Sequence, residues 1–313
     1  MSITFTDQLD KPSEITTIPN QYVRPVFGAL YGFDVPVSGG GGTPAIFNVT
    51  TRDTEANILA STPTNPSGEV NIAFGTDTYD FYIYSGGAWY IYNDTPFNQY
   101  SVSFDGSDDY IDIPDSTALE TTAFTWSAWF YCTAIDRFHM LVDTSTNYSF
   151  FLGYSIFVRN NNQIRFASYH ANDAIDSTTT VSANTWFHVA ATHESGSDKL
   201  YVNGSLEASG SASNFNTADA ANLRIGSSSI FSLYHQGLID EVSFFNSALS
   251  ASNITSIYNS GVPADLTSLS PVGWWRMGDN DGGTGTTITN QGSASSIDGT
   301  LTNGPTFSTT VPT

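Results

Sequence analysis

The run Phe124-Thr125-Trp126-Ser127-Ala128-Trp129-Phe130-Tyr131-Cys132 limits the fold more than any other segment of the chain. Side chains alternate across a strand, so Trp126, Ala128, Phe130 and Cys132 fall on one face while Trp129 and Tyr131 fall on the other. A strand with large aromatics on both faces belongs in a sheet covered on both sides, or in one whose outer face has a function. Trp186 to His193 has the same character. Lys199 to Leu206 carries Asn203-Gly204 at its centre, which predicts a two-residue hairpin, because a type I′ turn needs positive φ at both positions. One short helix is predicted over Ser250 to Tyr258, ended by Gly261.

Composition agrees with an all-β chain. Among 313 residues, 21 Phe, 16 Tyr and 6 Trp supply ample apolar surface for a core, and only 12% of residues are charged. Ser, Thr, Asn and Gly take over the solvent faces, as in strand-and-turn proteins. Thirty acids against nine bases leave a net charge of −21, which repels phosphate backbones and anionic lipid. Nucleic acid is therefore not expected as a partner. No stretch approaches ~18 apolar residues, and Met1 to Pro12 has neither the basic nor the apolar region of a leader, so no membrane insertion and no signal peptide are expected. The single cysteine, Cys132, cannot form an intrachain disulfide, so stability has to come from packing or from oligomer contacts.

Three regions follow from the pattern along the chain. Residues 1–43 read as an N-terminal arm broken by prolines and closed by the flexible run Gly39 to Gly42. Phe27, Leu30 and Tyr31 lie in its apolar part and are expected to anchor it on another protein; the competing reading is a strand that folds back on its own chain. Residues 44–99 contain three alternating runs, Glu69 to Phe74, Tyr79 to Tyr84 and Ala88 to Tyr92, which predict a small β-meander. Residues 100–313 read as one large domain of successive strands.

Two resemblances sharpen these expectations. The segment Asn65-Pro66-Ser67-Gly68-Glu69 through Gly86-Gly87-Ala88-Trp89-Tyr90 resembles a small β module of tailed-phage fibres and other virion proteins. Five further pieces, in order, resemble the laminin-G-like branch of the concanavalin A-like lectin/glucanase superfamily. They are Val102-Ser103-Phe104-Asp105-Gly106-Ser107-Asp108-Asp109-Tyr110-Ile111, Phe124 to Trp129, Trp186 to Ala190, Leu200 to Gly204, and Gly237-Leu238-Ile239-Asp240-Glu241-Val242-Ser243-Phe244-Phe245-Asn246. In many relatives a strand like Gly273-Trp274-Trp275-Arg276-Met277-Gly278-Asp279 precedes the first of these; here it follows the last, which implies a permuted domain. The implied fold is a concanavalin A-like antiparallel β-sandwich, or jelly roll, preceded by the meander module and the arm.

The resemblance also implies chemistry. Glucan-hydrolysing members carry paired acids spaced to flank one glycosidic bond, and nothing here matches that spacing. The nearest pair, Asp240-Glu241, is adjacent on a strand and should point to opposite faces. A non-catalytic protein is expected. Asp105, Asp108 and Asp109 cluster in the opening motif, and Asp240 stands on the strand that relatives place nearby; the four resemble a structural calcium position, against the alternative of a plain polar turn. Calcium is the only cofactor expected. Loop residues Tyr148, Tyr154, Tyr169, His170, Tyr234 and His235 offer aromatic platforms and polar groups of the kind that bind sugars. Together these features lead to the expectation of a phage virion structural protein on the particle exterior, a fibre, spike or capsid decoration. It would assemble as a homo-oligomer such as a trimer, contact other virion proteins through its arm and present a lectin-like domain to host surface polysaccharide. The alternatives are a capsid or tail stabiliser that binds no sugar and, more remotely, a glycan-degrading enzyme.

Overall fold

The structure is a computed structural model. It describes residues 98–144, 153–168, 174–211, 222–228 and 230–313 in full, and ahead of them the backbone of eight strands between Ser2 and Tyr92. The chain divides into two compact units, Met1–Pro96 and Phe97–Thr313.

In the first unit the strands are β1 (Ser2–Phe5), β2 (Thr17–Pro19), β3 (Pro25–Val26), β4 (Ala29–Leu30), β5 (Ile46–Asp53), β6 (Val70–Gly75), β7 (Phe81–Ser85) and β8 (Ala88–Tyr92). β6, β7 and β8 run antiparallel in sequence order, as the alternating runs predict. They extend into a six-stranded sheet ordered β2-β1-β5-β6-β7-β8, in which β5 lies parallel to both β1 and β6. Strands from the stretch read as an arm thus pair in the same sheet as the meander. Of the anchoring residues, Phe27 and Tyr31 lie outside the described residues, and Leu30 is described only as backbone of β4.

The second unit opens with β9 (Ser101–Asp105), β10 (Tyr110–Ile113), β11 (Phe124–Cys132), β12 (His139–Asp143), β13 (Tyr154–Val158), β14 (Gln163–Ser168), β15 (Ala174–Thr180) and β16 (Trp186–Glu194). It continues with β17 (Ser197–Val202), β18 (Ser205–Gly210), β19 (Leu223–Ile225), β20 (Gln236–Phe245) and a helix, α1 (Ala251–Tyr258). Short strands complete it: β21 (Gly273–Trp275), β22 (Thr287–Ile288), β23 (Gly299–Thr302) and β24 (Thr306–Ser308). One sheet, the β10 sheet, has the order β15-β14-β13-β12-β19-β10-β23-β22. The other, the β20 sheet, has the order β18-β17-β16-β11-β20-β9-β24, with β21 also paired to β20. All pairings in both sheets are antiparallel.

The core lies between these sheets. Phe124, Trp126, Ala128, Phe130 and Cys132 of β11 face it, opposite Ile111, Ile113, Tyr154, Ile156, Phe166 and Ile225. Trp126 packs against Phe244 at 4.8 Å and lies parallel to Trp275 at 6.1 Å, so the tryptophan strand that follows the last motif fills the same core as the motifs before it. Phe307 of β24 packs at its margin, and β24 closes on β9 with Ser308 opposite Ser101. The Asn203-Gly204 hairpin forms as expected, with φ of 48° and 75°. The helix is capped by Ser250, whose Oγ accepts the Asn253 N–H, and ends at Tyr258 as expected, but Asn259 (φ 46°) supplies the left-handed residue assigned to Gly261.

Gly237 marks the tightest approach in the sandwich. It pairs with Cys132, and a Cβ at this position would stand 1.9 Å from the carbonyl oxygen of Tyr131, on a backbone with φ of +143°. No side chain fits there without pushing β20 off β11. Gly237→Ala should therefore lower the unfolding free energy by more than about 2 kcal/mol, beyond the range of ordinary surface changes. A urea midpoint equal to that of the parent chain would refute the strain argument.

Candidate functional site

A sandwich has two outer faces, and here one is closed. On the β20 sheet, Ala190, Tyr201, Phe245 and Trp274 point away from the main core and are buried under Ile254 and Ile257 of α1, together with Leu266. Trp129 is likewise covered, its ring stacked on Tyr258 at 5.6 Å. The double-faced aromatic strand seen in the sequence is thus explained by burial on both sides. The outer face of the β10 sheet is not covered by α1.

Strand parity selects the side chains on that face. Ile111 and Ile113 enter the core, so Tyr110 and Asp112 point outward; Leu223 and Ile225 enter it, so Arg224 points outward. Cross-strand register sets Asp112 opposite Arg224, and Arg224 opposite Asp143. The guanidinium of Arg224 lies over the Tyr110 ring at 4.4 Å, and its Nε stands 4.0 Å from Asp112 Oδ1. Asn222 Nδ2 donates to Asp112 Oδ2 at 2.7 Å. About three-tenths of each charged side chain is exposed, at 29% for Arg224 and 30% for Asp112. Asp143 and Ser155 continue the same row and are buried. Beyond them stand Phe157, 6.2 Å from Phe138, and Arg165, which forms a two-pronged pair with Asp176 at 2.7 Å. That bidentate bond holds the Asp176 carboxyl below the usual range and raises Arg165.

The aromatic and amide loops picked from the sequence fare differently. Tyr154 is 2% exposed and stacks on Phe124 at 4.5 Å inside the core, because it shares the inward parity of Ile156 and Val158. It presents no ring to a sugar. His235 is fully buried as well. Tyr234 is half-buried and bridges backbone to Ser227, while Tyr148, Tyr169 and His170 lie outside the described residues. Tyr110, Arg224 and Phe157 were not singled out from the sequence, although the alternation around Ile111 and Ile113 carried the signal.

The acids expected to share a calcium ion are split. Carboxylate oxygens of Asp105, Asp108 and Asp109 approach one another within 4.8 Å. Two of their oxygens serve the turn itself: Asp109 Oδ2 accepts the Asp105 N–H at 2.9 Å and Asp105 Oδ1 accepts the Ser107 N–H at 2.7 Å. Burial raises the Asp109 carboxyl above its ordinary range, opposed by the Asp105 N–H and reinforced by the Asp105 and Asp108 charges. Arg137 donates to the Gly106 carbonyl in the same turn at 3.1 Å. Asp240 is not among these acids. It is fully buried further along β20, where its Oδ2 accepts from Asn98 Nδ2 at 2.7 Å. Asp240 therefore stands apart from the three-acid turn, and the four acids do not form one site.

Asp240 and Glu241 also depart from simple alternation. The register between β11 and β20 slips between Ser127 and Trp129, and Glu241 takes a φ of 47°, forming a bulge. Both carboxylates consequently come near Asp279 instead of pointing to opposite faces. Every carboxylate oxygen in this group has a donor. Asp240 Oδ1 accepts the Glu241 N–H, Glu241 accepts from Trp274 Nε1 and Arg276 Nε, and Asp279 accepts from the Gln99 and Tyr100 N–H groups and from Arg276 Nη2. The group ties residues 98–100 and 274–279 to β20. Burial, with like-charge repulsion added, raises Asp240 well above the usual carboxyl range; burial likewise raises Glu241 to about 7, against the pull of Arg276.

Glu241 has a folded-state value above its ordinary 4.5, so the unfolded chain loses its proton first and stability declines as pH climbs from 4.5 to about 7. Glu241→Gln removes that titration. Its stability relative to the parent should improve steadily across this window in urea titrations at about pH 5 and about pH 8. A difference independent of pH would show that Glu241 does not titrate there.

Comparisons with known proteins agree with the architecture. The pattern of the concanavalin A-like lectin/glucanases superfamily matches residues 105–255. No curated protein matches the chain at a significant level. A solved structure from Bacteroides ovatus ATCC 8483, described as that of a candidate carbohydrate binding protein, is 17% identical with a TM-score of 0.54; the match covers 79% of this chain and 71% of that one. The CBM40 of the Ruminococcus gnavus IT-sialidase is 14% identical with a TM-score of 0.44 and covers 50% of this chain and 96% of its own. The heptameric SAP-like pentraxin of Limulus polyphemus is 14% identical with a TM-score of 0.40 and covers 51% of this chain and 82% of its own. At 17% identity the Bacteroides likeness is one of fold, and with the sheet topology and the matched segment it makes Phe97–Thr313 a concanavalin A-like β-sandwich.

Proposed function

We propose that the sandwich is a non-catalytic glycan-binding domain whose contact is built from Tyr110, Asp112 and Arg224. The observation that carries the reading is the pairing of a partly exposed aromatic ring, capped on one side by a planar cation, with a carboxylate, on the outer face that no helix covers among the described residues. A pyranose sets its C–H face on an aromatic ring while guanidinium and carboxylate take its hydroxyls. The fold of a candidate carbohydrate binding protein supports the same class of ligand. The buried Asp240 and Glu241 have no exposed oxygen to offer a glycosidic bond, which favours binding over hydrolysis.

Attachment of a virion to its host is the setting proposed for this domain, supported by the resemblance of residues 65–90 to a tailed-phage module. Copies repeated on one particle would multiply a weak single site by avidity. Residues 1–43, with Phe27, Leu30 and Tyr31, would fix the chain to other virion proteins. Among the described residues no helix is long and apolar enough to cross a membrane.

Two measurements test the two halves of this reading. In affinity electrophoresis against host surface polysaccharides, Tyr110→Ala in the full chain should weaken retention by roughly three- to tenfold, the worth of one aromatic contact, at unchanged thermal stability. Equal retention of parent and variant would reject Tyr110 as the platform, and no retention of either on any host polymer would favour a purely structural sandwich. Deleting residues 1–37 should abolish incorporation of the chain into particles, scored by immunoblot of purified virions. Undiminished incorporation would remove the anchoring role.

A further inference from the structure

Cys132 ends β11, His139 begins β12 and His235 immediately precedes β20, so three strand ends meet at one place in the sandwich. A donor atom from each of the three lies within 4.8 Å of the other two, and all three residues are fully buried. The tight pass at Gly237 creates this meeting, since it presses the start of β20 onto Cys132. The two imidazoles meet edge to face with centroids 5.3 Å apart.

Hydrogen-bond partners assign the protons. His235 Nε2 donates to the Leu238 carbonyl at 3.1 Å and the Tyr131 backbone also acts on the ring, while the buried Nδ1 makes no hydrogen bond. His139 Nδ1 accepts the Gln236 N–H at 3.2 Å, so Nε2 carries the ring hydrogen; the Ala134 backbone acts on this ring, and the buried Nε2 makes no direct hydrogen bond. An imidazole anchored through one N–H to a backbone carbonyl, with its other nitrogen free, has the arrangement of a metal ligand. Native interiors seldom leave such nitrogens unpaired.

Charge and softness narrow the ion. Among the described residues no carboxylate belongs to this cluster, and the charge acting on Cys132 is that of Arg137, held by Gln236 Oε1 and the Gly106 carbonyl. A divalent ion on one thiolate would leave a net positive charge buried beside that guanidinium. A singly charged soft ion on a thiolate leaves none. Copper(I) is such an ion, accepts few ligands and prefers sulfur.

We propose that Cys132 Sγ and His235 Nδ1 bind one copper(I) ion, with His139 packed beside it. On binding, the thiol proton passes to solvent as the Cu–S bond forms, and no electron is transferred. The full chain, expressed in copper-supplemented medium and purified anaerobically with ascorbate, should retain about one copper per chain. Its copper-edge X-ray absorption should show one sulfur scatterer with nitrogen. Cys132→Ala and His235→Gln should each reduce the retained copper at least about tenfold, as loss of a ligand does. A natively folded parent chain without copper, or a Cys132→Ala chain that keeps it, overturns the assignment. An absorption spectrum without a sulfur scatterer does so too, and it decides the matter even if neither variant folds.

Discussion

Strand β20 is hydrogen-bonded along both edges and buried on both faces. β11 takes one edge, while β9 and β21 share the other, and nine of its ten residues are buried. Any polar side chain on such a strand has no water to fall back on and must find its partners inside the protein. The acids at its middle meet that condition through a bulge, which gathers Asp240 and Glu241 with Asp279 and a single arginine. The serine and histidines around it meet the condition less completely. His188 bonds Ser127 through Nε2 at 2.8 Å yet leaves Nδ1 bare, and burial pushes both His188 and His235 down to about 3.

From this strand outward, the two outer surfaces differ. The helix and Trp274 close one outer face, adding a second small core behind the β20 sheet. The opposite face stays polar and carries its charges in pairs across strands, Arg224 with Asp112 and Arg165 with Asp176. Exposed pairs of this sort contribute little to stability. Under the proposed glycan-binding role, their worth is a planar arrangement of donors and acceptors that a hydroxyl-rich ligand can read.

Much of the fold was legible because strand periodicity is a local property of the sequence. The two-faced aromatic run of β11, the Asn203-Gly204 turn and the Ser250 cap each follow from a few consecutive residues. What alternation could not give was the place where it breaks. A bulge depends on how β20 meets β11, and so Asp240 and Glu241 fell to the same side against expectation. Tyr154 misled for the opposite reason. It looked like a loop residue at the end of an irregular stretch, yet it belongs to a regular strand and obeys the parity of its neighbours. The convergence of Cys132, His139 and His235 spans more than a hundred positions and has no local signature at all.

The pairing of β9 with β24 sets the first strand of the sandwich against the last, with Ser101 opposite Ser308. Antiparallel alignment means that the chain enters and leaves this domain at one end, through neighbouring strands. Tension applied between those two points would open the ladder one rung at a time, the weakest way to pull a sheet. A tether that holds only the entry strand loads β9 against its other neighbour, β20, where the bonds share the force in shear. A domain attached at one terminus, with the other left free, therefore withstands drag that the same domain strung between two anchors would not.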